Sequence, residues 1–169
     1  TVVLGPPPAA LAELIERRRA TGADRFDEVW EGVHHMAPAP RSRHAYLVGV
    51  VAVALHPYAE AAGLVGSGPF NLGEPDDYRI PDWGFHRDAL DAVFLPTAAG
   101  VVEILSPDDE TYDKLPFYAA HGVDEVMVVD PAERRIRLLV LAGDSYRDAE
   151  ASALLGVPAS DLEAAVRWP

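Results

Sequence analysis

Val101-Val102-Glu103-Ile104-Leu105 sets one carboxylate in a run that otherwise has the character of a strand buried on both faces. An ionised carboxylate left there without a partner costs several kcal/mol, so Glu103 calls for a proton, a cation or a metal. The competing reading is an edge strand whose polar side meets water. Around this run the period is that of strands, with short segments at Leu64 to Leu72, Tyr78 to Phe85 and Gly100 to Leu105 divided by Gly, Pro and Asp clusters. Asp124 to Val129 and Arg134 to Leu141 follow as two more strands joined at Asp130-Pro131.

Helical patterns flank the strands. Pro6 to Pro8 lead into Ala9 to Ala20, strong helix formers with Leu11, Leu14 and Ile15 on one face, stopped by Gly22. Arg25 to Met36 alternates around Gly32 and reads as a strand or hairpin closed by Pro38 and Pro40. Ser42 is suited to cap a second helix through His44, Leu47, Val51 and Leu55, interrupted near Pro57, ended by Gly63 and apolar enough to be well buried. Asp113 caps a helix from Lys114 to His121, with Pro116 in its first turn and Gly122 just past its end. Leu154 to Val166 is expected to be a short terminal helix. The expectation is an α/β fold, a central mixed sheet flanked by helices, in one domain spanning 1–169.

Composition narrows the function classes. A chain of 169 residues, 49% apolar and 24% charged, has the balance of a folded domain and the length to bury roughly 70% of its unfolded surface. With no cysteine, disulfides, thiolate metal sites and thiol nucleophiles are excluded, and a reducing cytoplasm is the expected setting. The longest apolar run, Val48 to Leu55, is far below the ~20 residues of a membrane span, and the amino terminus shows no basic segment followed by an apolar stretch. A net charge of −13 opposes loose binding to polyanions. Thirteen of the 14 basic residues are arginine, and Lys114 is the only lysine.

Asp82 follows Pro81 in the strand-like segment before Glu103. Taken alone, a Pro-Asp pair is a turn. Two hard carboxylates on neighbouring strands, with a backbone carbonyl such as that of Ile104, suit Mg²⁺ or Mn²⁺, which take oxygen ligands and retain water. Lys114, at the start of the helix after the Glu103 strand, can turn back towards that strand's carboxyl end. A compact ammonium there orients water or phosphate in a way a guanidinium does not, and the exclusive use of arginine elsewhere argues for lysine-specific chemistry. The competing reading is a surface lysine.

Glu31-Gly32-Val33, Met36-Ala37-Pro38 and His44, then Tyr78-Arg79-Ile80-Pro81-Asp82, Val102-Glu103-Ile104-Leu105-Ser106-Pro107, Asp113-Lys114 with Tyr118, Gly122-Val123 and Val129-Asp130-Pro131 together resemble the bacterial Uma-two family. The resemblance covers nearly the whole chain. Members are regarded as restriction endonucleases of the PD-(D/E)XK superfamily, so it implies a restriction-endonuclease-like core with Asp82, Glu103 and Lys114 as the catalytic site. The superfamily pattern puts lysine two places after the acid, where this chain has Leu105, so Lys114 is the lysine displaced onto the following helix. His44, beside Arg41 and Arg43, becomes a candidate for lining the site or contacting phosphate, and Arg43 and Glu31 are further candidates for substrate binding.

Other residues fit no site. His34 and His35 point to opposite faces of a strand and do not chelate together, His56, His86 and His121 lack partners at ligand spacing, and no nucleotide-binding glycine pattern or Gly-x-Ser-x-Gly elbow is present. The expected function is metal-dependent phosphodiester hydrolysis of DNA, with Asp82, Glu103 and the Ile104 carbonyl holding Mg²⁺ or Mn²⁺. A homodimer suits an enzyme that cuts both strands. The rivals are a catalytically silent binding module, which the acidic surface favours, and glycoside hydrolysis by the same two carboxylates.

Overall fold

In chain order the elements are α1 (Ala9–Thr21), β1 (Glu28–Trp30), β2 (Val33–His35), α2 (Ser42–Ala61), β3 (Val65–Ser67), β4 (Asn71–Glu74), β5 (Asp77–Arg79), β6 (Trp83–His86), β7 (Phe94–Leu95) and β8 (Gly100–Ile104). A 3-10 turn (Thr111–Lys114) then leads into α3 (Leu115–Ala120), β9 (Glu125–Asp130), β10 (Arg135–Ala142), β11 (Ser145–Ala149), β12 (Ala151–Ser152), β13 (Val157–Pro158) and α4 (Ala159–Ala165). This computed structural model describes residues 8–88, 91–107 and 110–169. The expectations for Pro6, Pro7 and the amino-terminal stretch before Pro8 lie outside those residues.

The main sheet has the order β11-β10-β9-β8-β6-β3 and is mixed, because β8 and β9 run parallel while the other pairs are antiparallel. β8 lies inside it and all five of its residues are buried, as the apolar run around Glu103 requires. Its alternation divides the core. Val102 and Ile104 join the cluster that α2 and α4 cover, with Leu47, Val51, Leu55 and Leu162. Val101 joins Phe117, Tyr118, Val123 and Val126 on the α3 side. Burying each such large side chain contributes about 1.5–3 kcal/mol.

A second sheet, ordered β2-β1-β5-β4-β7, stands beside the first. Its β1–β2 hairpin turns on Glu31-Gly32 with φ of 50° and 80°, the two-residue turn that matches strand twist. Glu31 is an unfavourable residue at positive φ. Its backbone N–H donates to Asp77 Oδ1 at 3.0 Å and that of Gly32 to the Asp76 carbonyl at 3.0 Å, so the turn is held from β5. Arg79 of β5 is buried, with its guanidinium 4.4 Å from the Trp30 ring centre and 4.0 Å from that of Phe117. This cation–aromatic stack joins the second sheet to α3.

Several expected elements are revised. Leu64 to Leu72 is two strands in different sheets, because Gly68-Pro69 breaks the ladder between β3 and β4. Tyr78 to Phe85 is likewise divided at Pro81, which has no N–H to donate, into β5 and β6. Neither Ser42 nor Asp113 caps a helix: Arg41 precedes the first helical residue of α2, and Asp113 lies within the 3-10 turn. α2 also runs through Pro57. The carbonyl that loses its donor belongs to Val53, which is 76% exposed, so water replaces the missing bond. Only Leu47, Val51, Leu55 and Ala59 of α2 are buried, and no residue of α1 is. The terminal helix is shorter than expected because Gly156, at φ 66°, and Pro158 place Leu154 to Pro158 in a turn and a short strand.

Gly73 sits at φ 117° opposite Tyr78, and a Cβ there would overlap the Asp77 carbonyl and the Phe117 ring. Gly73→Ala is therefore expected to lower stability in urea unfolding by about 2–4 kcal/mol. A loss near zero would show that the β4–β5 pair shifts without cost.

Candidate active site

The site begins where β6 leaves β8. Trp83 pairs with Val102, which places Asp82 opposite Glu103, and Pro81 lies beyond the ladder. With no β6 strand left to pair it, the Ile104 N–H donates to Asp82 Oδ2 at 2.8 Å. The other oxygen, Oδ1, lies 2.8 Å from His44 Nε2, projected from the first turn of α2. Asp82 is thus fixed from both sides. The N–H and C=O of a strand residue leave on the same edge, so the Ile104 carbonyl shares the Asp82 side of β8.

Glu103 faces α3 and is 4% exposed. Its Oε1 accepts from the Tyr118 hydroxyl in a short hydrogen bond and from Lys114 Nζ at 3.2 Å. Lys114 also donates to Glu28 Oε1 at 2.9 Å. Glu28, at the start of β1, is buried and accepts further bonds from the Ile80 N–H at 2.7 Å and from Trp30 Nε1 at 2.7 Å. One ammonium therefore bridges an acid of each sheet. The exposed edge of the site lies with His44 and Asp82, whose side chains are 22% and 21% accessible against 5% for Glu103.

Burial pushes the Glu103 carboxyl up to about 7; the Asp82 and Glu28 charges add to the rise, while Lys114 and Tyr118 oppose it. Burial also works against the Lys114 ammonium, but the Glu103 and Glu28 carboxylates outweigh it and hold the lysine above its ordinary range. Lys114 is a fixed cation here, not a base. Burial and the neighbouring Glu103 raise Tyr118 well above its usual value, so its hydroxyl keeps its proton and donates.

Asp82, Glu103, Lys114 and His44 come together. Arg43 and Glu31 do not join them. Arg43 is exposed and lies about 100° round α2 from His44, and Glu31 belongs to the β1–β2 turn, exposed and held through its backbone. Glu28 is the residue that sequence reasoning missed. Its signal was present: a two-residue turn at Glu31-Gly32 takes Glu31 off the strand and leaves Glu28 as the acid inside it.

The donor set suits a hard divalent cation in two respects. Asp82 stands opposite Glu103, which shares Lys114 with Glu28, and Glu103 Oε2 accepts no hydrogen bond from the described residues. Among the described residues no three His, Cys, Asp or Glu side chains are grouped as ligands, so Asp82, Glu103 and the Ile104 carbonyl would leave the remaining positions to water, as Mg²⁺ prefers.

A family model, Uma2, described as "Putative restriction endonuclease", matches residues 13–167. Among solved structures, one described as "a putative nuclease belonging to DUF820 from Anabaena variabilis ATCC 29413" is similar, with a TM-score of 0.59 and 17% identity over 82% of this chain and 90% of that one. This likeness shows the fold, a restriction-endonuclease-like α/β core. Comparison with curated proteins yields no match.

Because the folded value of Glu103 lies above the unfolded one, folding favours its protonated form. That contribution to stability is complete below about 4.5 and is lost as pH rises through about 7. In urea unfolding with chelator, Glu103→Gln should gain on the native protein by about 3 kcal/mol between pH 4 and pH 8. A difference that does not change with pH would mean that Glu103 titrates in its ordinary range.

Proposed function

The chain belongs to the Uma2 family, and on that premise we propose that it is a metal-dependent endonuclease acting on DNA, with Asp82, Glu103 and Lys114 as its catalytic residues. The observation that carries the reading is that Asp82 stands opposite Glu103 at the end of β6, and that Glu103 is paired with a lysine which buried Glu28 holds from the other side. Asp82, Glu103 and the Ile104 carbonyl would hold Mg²⁺ or Mn²⁺. Such an ion, when bound, lowers the pKa of a coordinated water and neutralises charge developing on the phosphodiester.

The chain's own groups divide the remaining work. Lys114, kept protonated by Glu28 and Glu103, presents positive charge to the attacking water and the phosphate. Glu28 positions Lys114 from the second sheet. His44 orients Asp82, and with it marks the accessible side from which a phosphate enters. Tyr118 donates to Glu103 Oε1 and leaves Oε2 for the reaction centre.

The charge of −13 is unevenly spread. No Asp or Glu occurs from Gly32 to Ala59, a stretch that contains Arg41, Arg43, His34, His35 and His44 and that enters the site at His44. The positive end of the α2 dipole lies at the same place. This stretch brings basic side chains to the site despite the net charge, with Glu110, 3.4 Å from His35, as the exposed acid beside it.

A catalytically silent binding module is the second reading, favoured by Asp82 having both oxygens engaged without a metal. Metal response separates the two. Mn²⁺ or Mg²⁺ should raise the melting temperature of the native protein and leave Asp82→Asn and Glu103→Gln unmoved; an equal rise in all three places the ion elsewhere.

Lys114→Arg should reduce single-turnover cleavage of supercoiled plasmid in Mn²⁺ by on the order of 10²–10³, although charge is retained, because a planar guanidinium does not fit where a point charge touches two carboxylates. Circular dichroism checks folding of the variant. Near-native cleavage by Lys114→Arg would reduce Lys114 to a general electrostatic role.

A further inference from the structure

α2 buries one face and leaves the opposite one bare. On a helical projection Arg43, Tyr46, Gly49, Val50, Val53, Pro57 and Glu60 fall within a stripe about 120° wide, centred about 140° round the helix from the buried Leu47, Val51 and Leu55. Tyr46 is 53% exposed and Val53 76%, Val50 is half-buried with one side on the core, and the stripe forms one wall of a groove closed by Ala165 at the end of α4 and by Arg167 beyond it. We infer that this face pairs with the same face of a second copy of the chain, α2 against α2 in antiparallel orientation about a two-fold axis.

Self-complementarity carries the assignment. A two-fold contact requires residue i to meet residue j while j meets i. The stripe is symmetric about the midpoint between Val51 and Ala52: Val50 stands opposite Val53, Tyr46 opposite Pro57, and Arg43 opposite Glu60. The apolar middle therefore meets its like, and each end meets opposite charge. In a chain with 27 acidic residues, Glu60 is the first since Glu31, and it falls at the position that faces Arg43.

Two local features suit the pairing. Gly49 lies inside the helix, where glycine costs about 1 kcal/mol against alanine, and a Cβ there would meet no atom of its own chain within 4 Å. Its missing side chain lets another helix approach closely. Pro57 leaves the Val53 carbonyl without its helical donor, and the pairing puts a second copy's Tyr46, with its hydroxyl, beside that turn. The His44 residues of the two copies then lie about 22 Å apart along the paired helices. The surface lies on the outer side of α2, so the inference does not depend on the site's chemistry.

The register supplies the test, since the chain is free of cysteine. Arg43→Cys and Glu60→Cys are about 26 Å apart along one helix, too far for a disulfide within a copy. An equimolar mixture of the two single variants under mild oxidation should give a covalent dimer several-fold more abundant than either variant alone. Sedimentation equilibrium of the full chain should show a native dimer, and Val53→Asp, with unchanged circular dichroism, should weaken it by about 100-fold or more. A native protein that stays monomeric over the concentration series would overturn the inference, as would a Val53→Asp dimer of native affinity or cross-linking no greater in the mixture than in the single variants.

Discussion

The lysine between Glu28 and Glu103 is the contact on which both sheets depend. Glu28 comes from β1 of the second sheet, Glu103 from β8 of the main sheet, and Lys114 from the 3-10 turn between them. Burying two carboxylates beside each other would be prohibitive without that ammonium, and burying the ammonium would be equally costly without them. Each group makes the others tolerable. Removing the lysine leaves two carboxylates side by side in the interior, whereas removing one acid leaves a matched pair, and the lysine's position in turn fixes where α3 starts. Tyr118, one turn further along, then falls within reach of Glu103.

The Arg79 stack repeats the same logic a short distance away. Its guanidinium lies between Trp30 and Phe117 and donates to the Val29 carbonyl and to Asp77. Two cations, one in a carboxylate clamp and one in an aromatic clamp, thus tie β1 and β5 to the 3-10 turn and α3. The second sheet has to be held this firmly, because β1 delivers one of the two acids that hold Lys114.

Much of this was legible in the sequence. Glu103 stood out because a carboxylate in an otherwise apolar strand has few admissible explanations, and Asp82, a weak signal within the preceding strand-like segment, was marked by the family resemblance. Lys114 was marked by being the lone lysine. Glu28 was harder to read: Ile80 and Lys114, which bond it, are 52 and 86 residues away in sequence, and its one local sign was the Glu31-Gly32 turn that leaves it on the strand. Apolar continuity also concealed the breaks at Gly68-Pro69 and Pro81, where one run serves two sheets. α2 was misjudged for a related reason. Composition reported its hydrophobicity, but only its projection on the fold separates the face against β8 from the bare one.

Lys114 is also the sequence's only ε-amine, and the fold encloses it in an ion pair with each of two acids. Acylating reagents and enzymes that modify lysine therefore find a single side chain, and they reach it only when β1, β8 and the 3-10 turn separate. The rate of its modification is a built-in clock for the opening of that junction, readable as the mass added to the peptide that contains Lys114, apart from any added at the chain's α-amine.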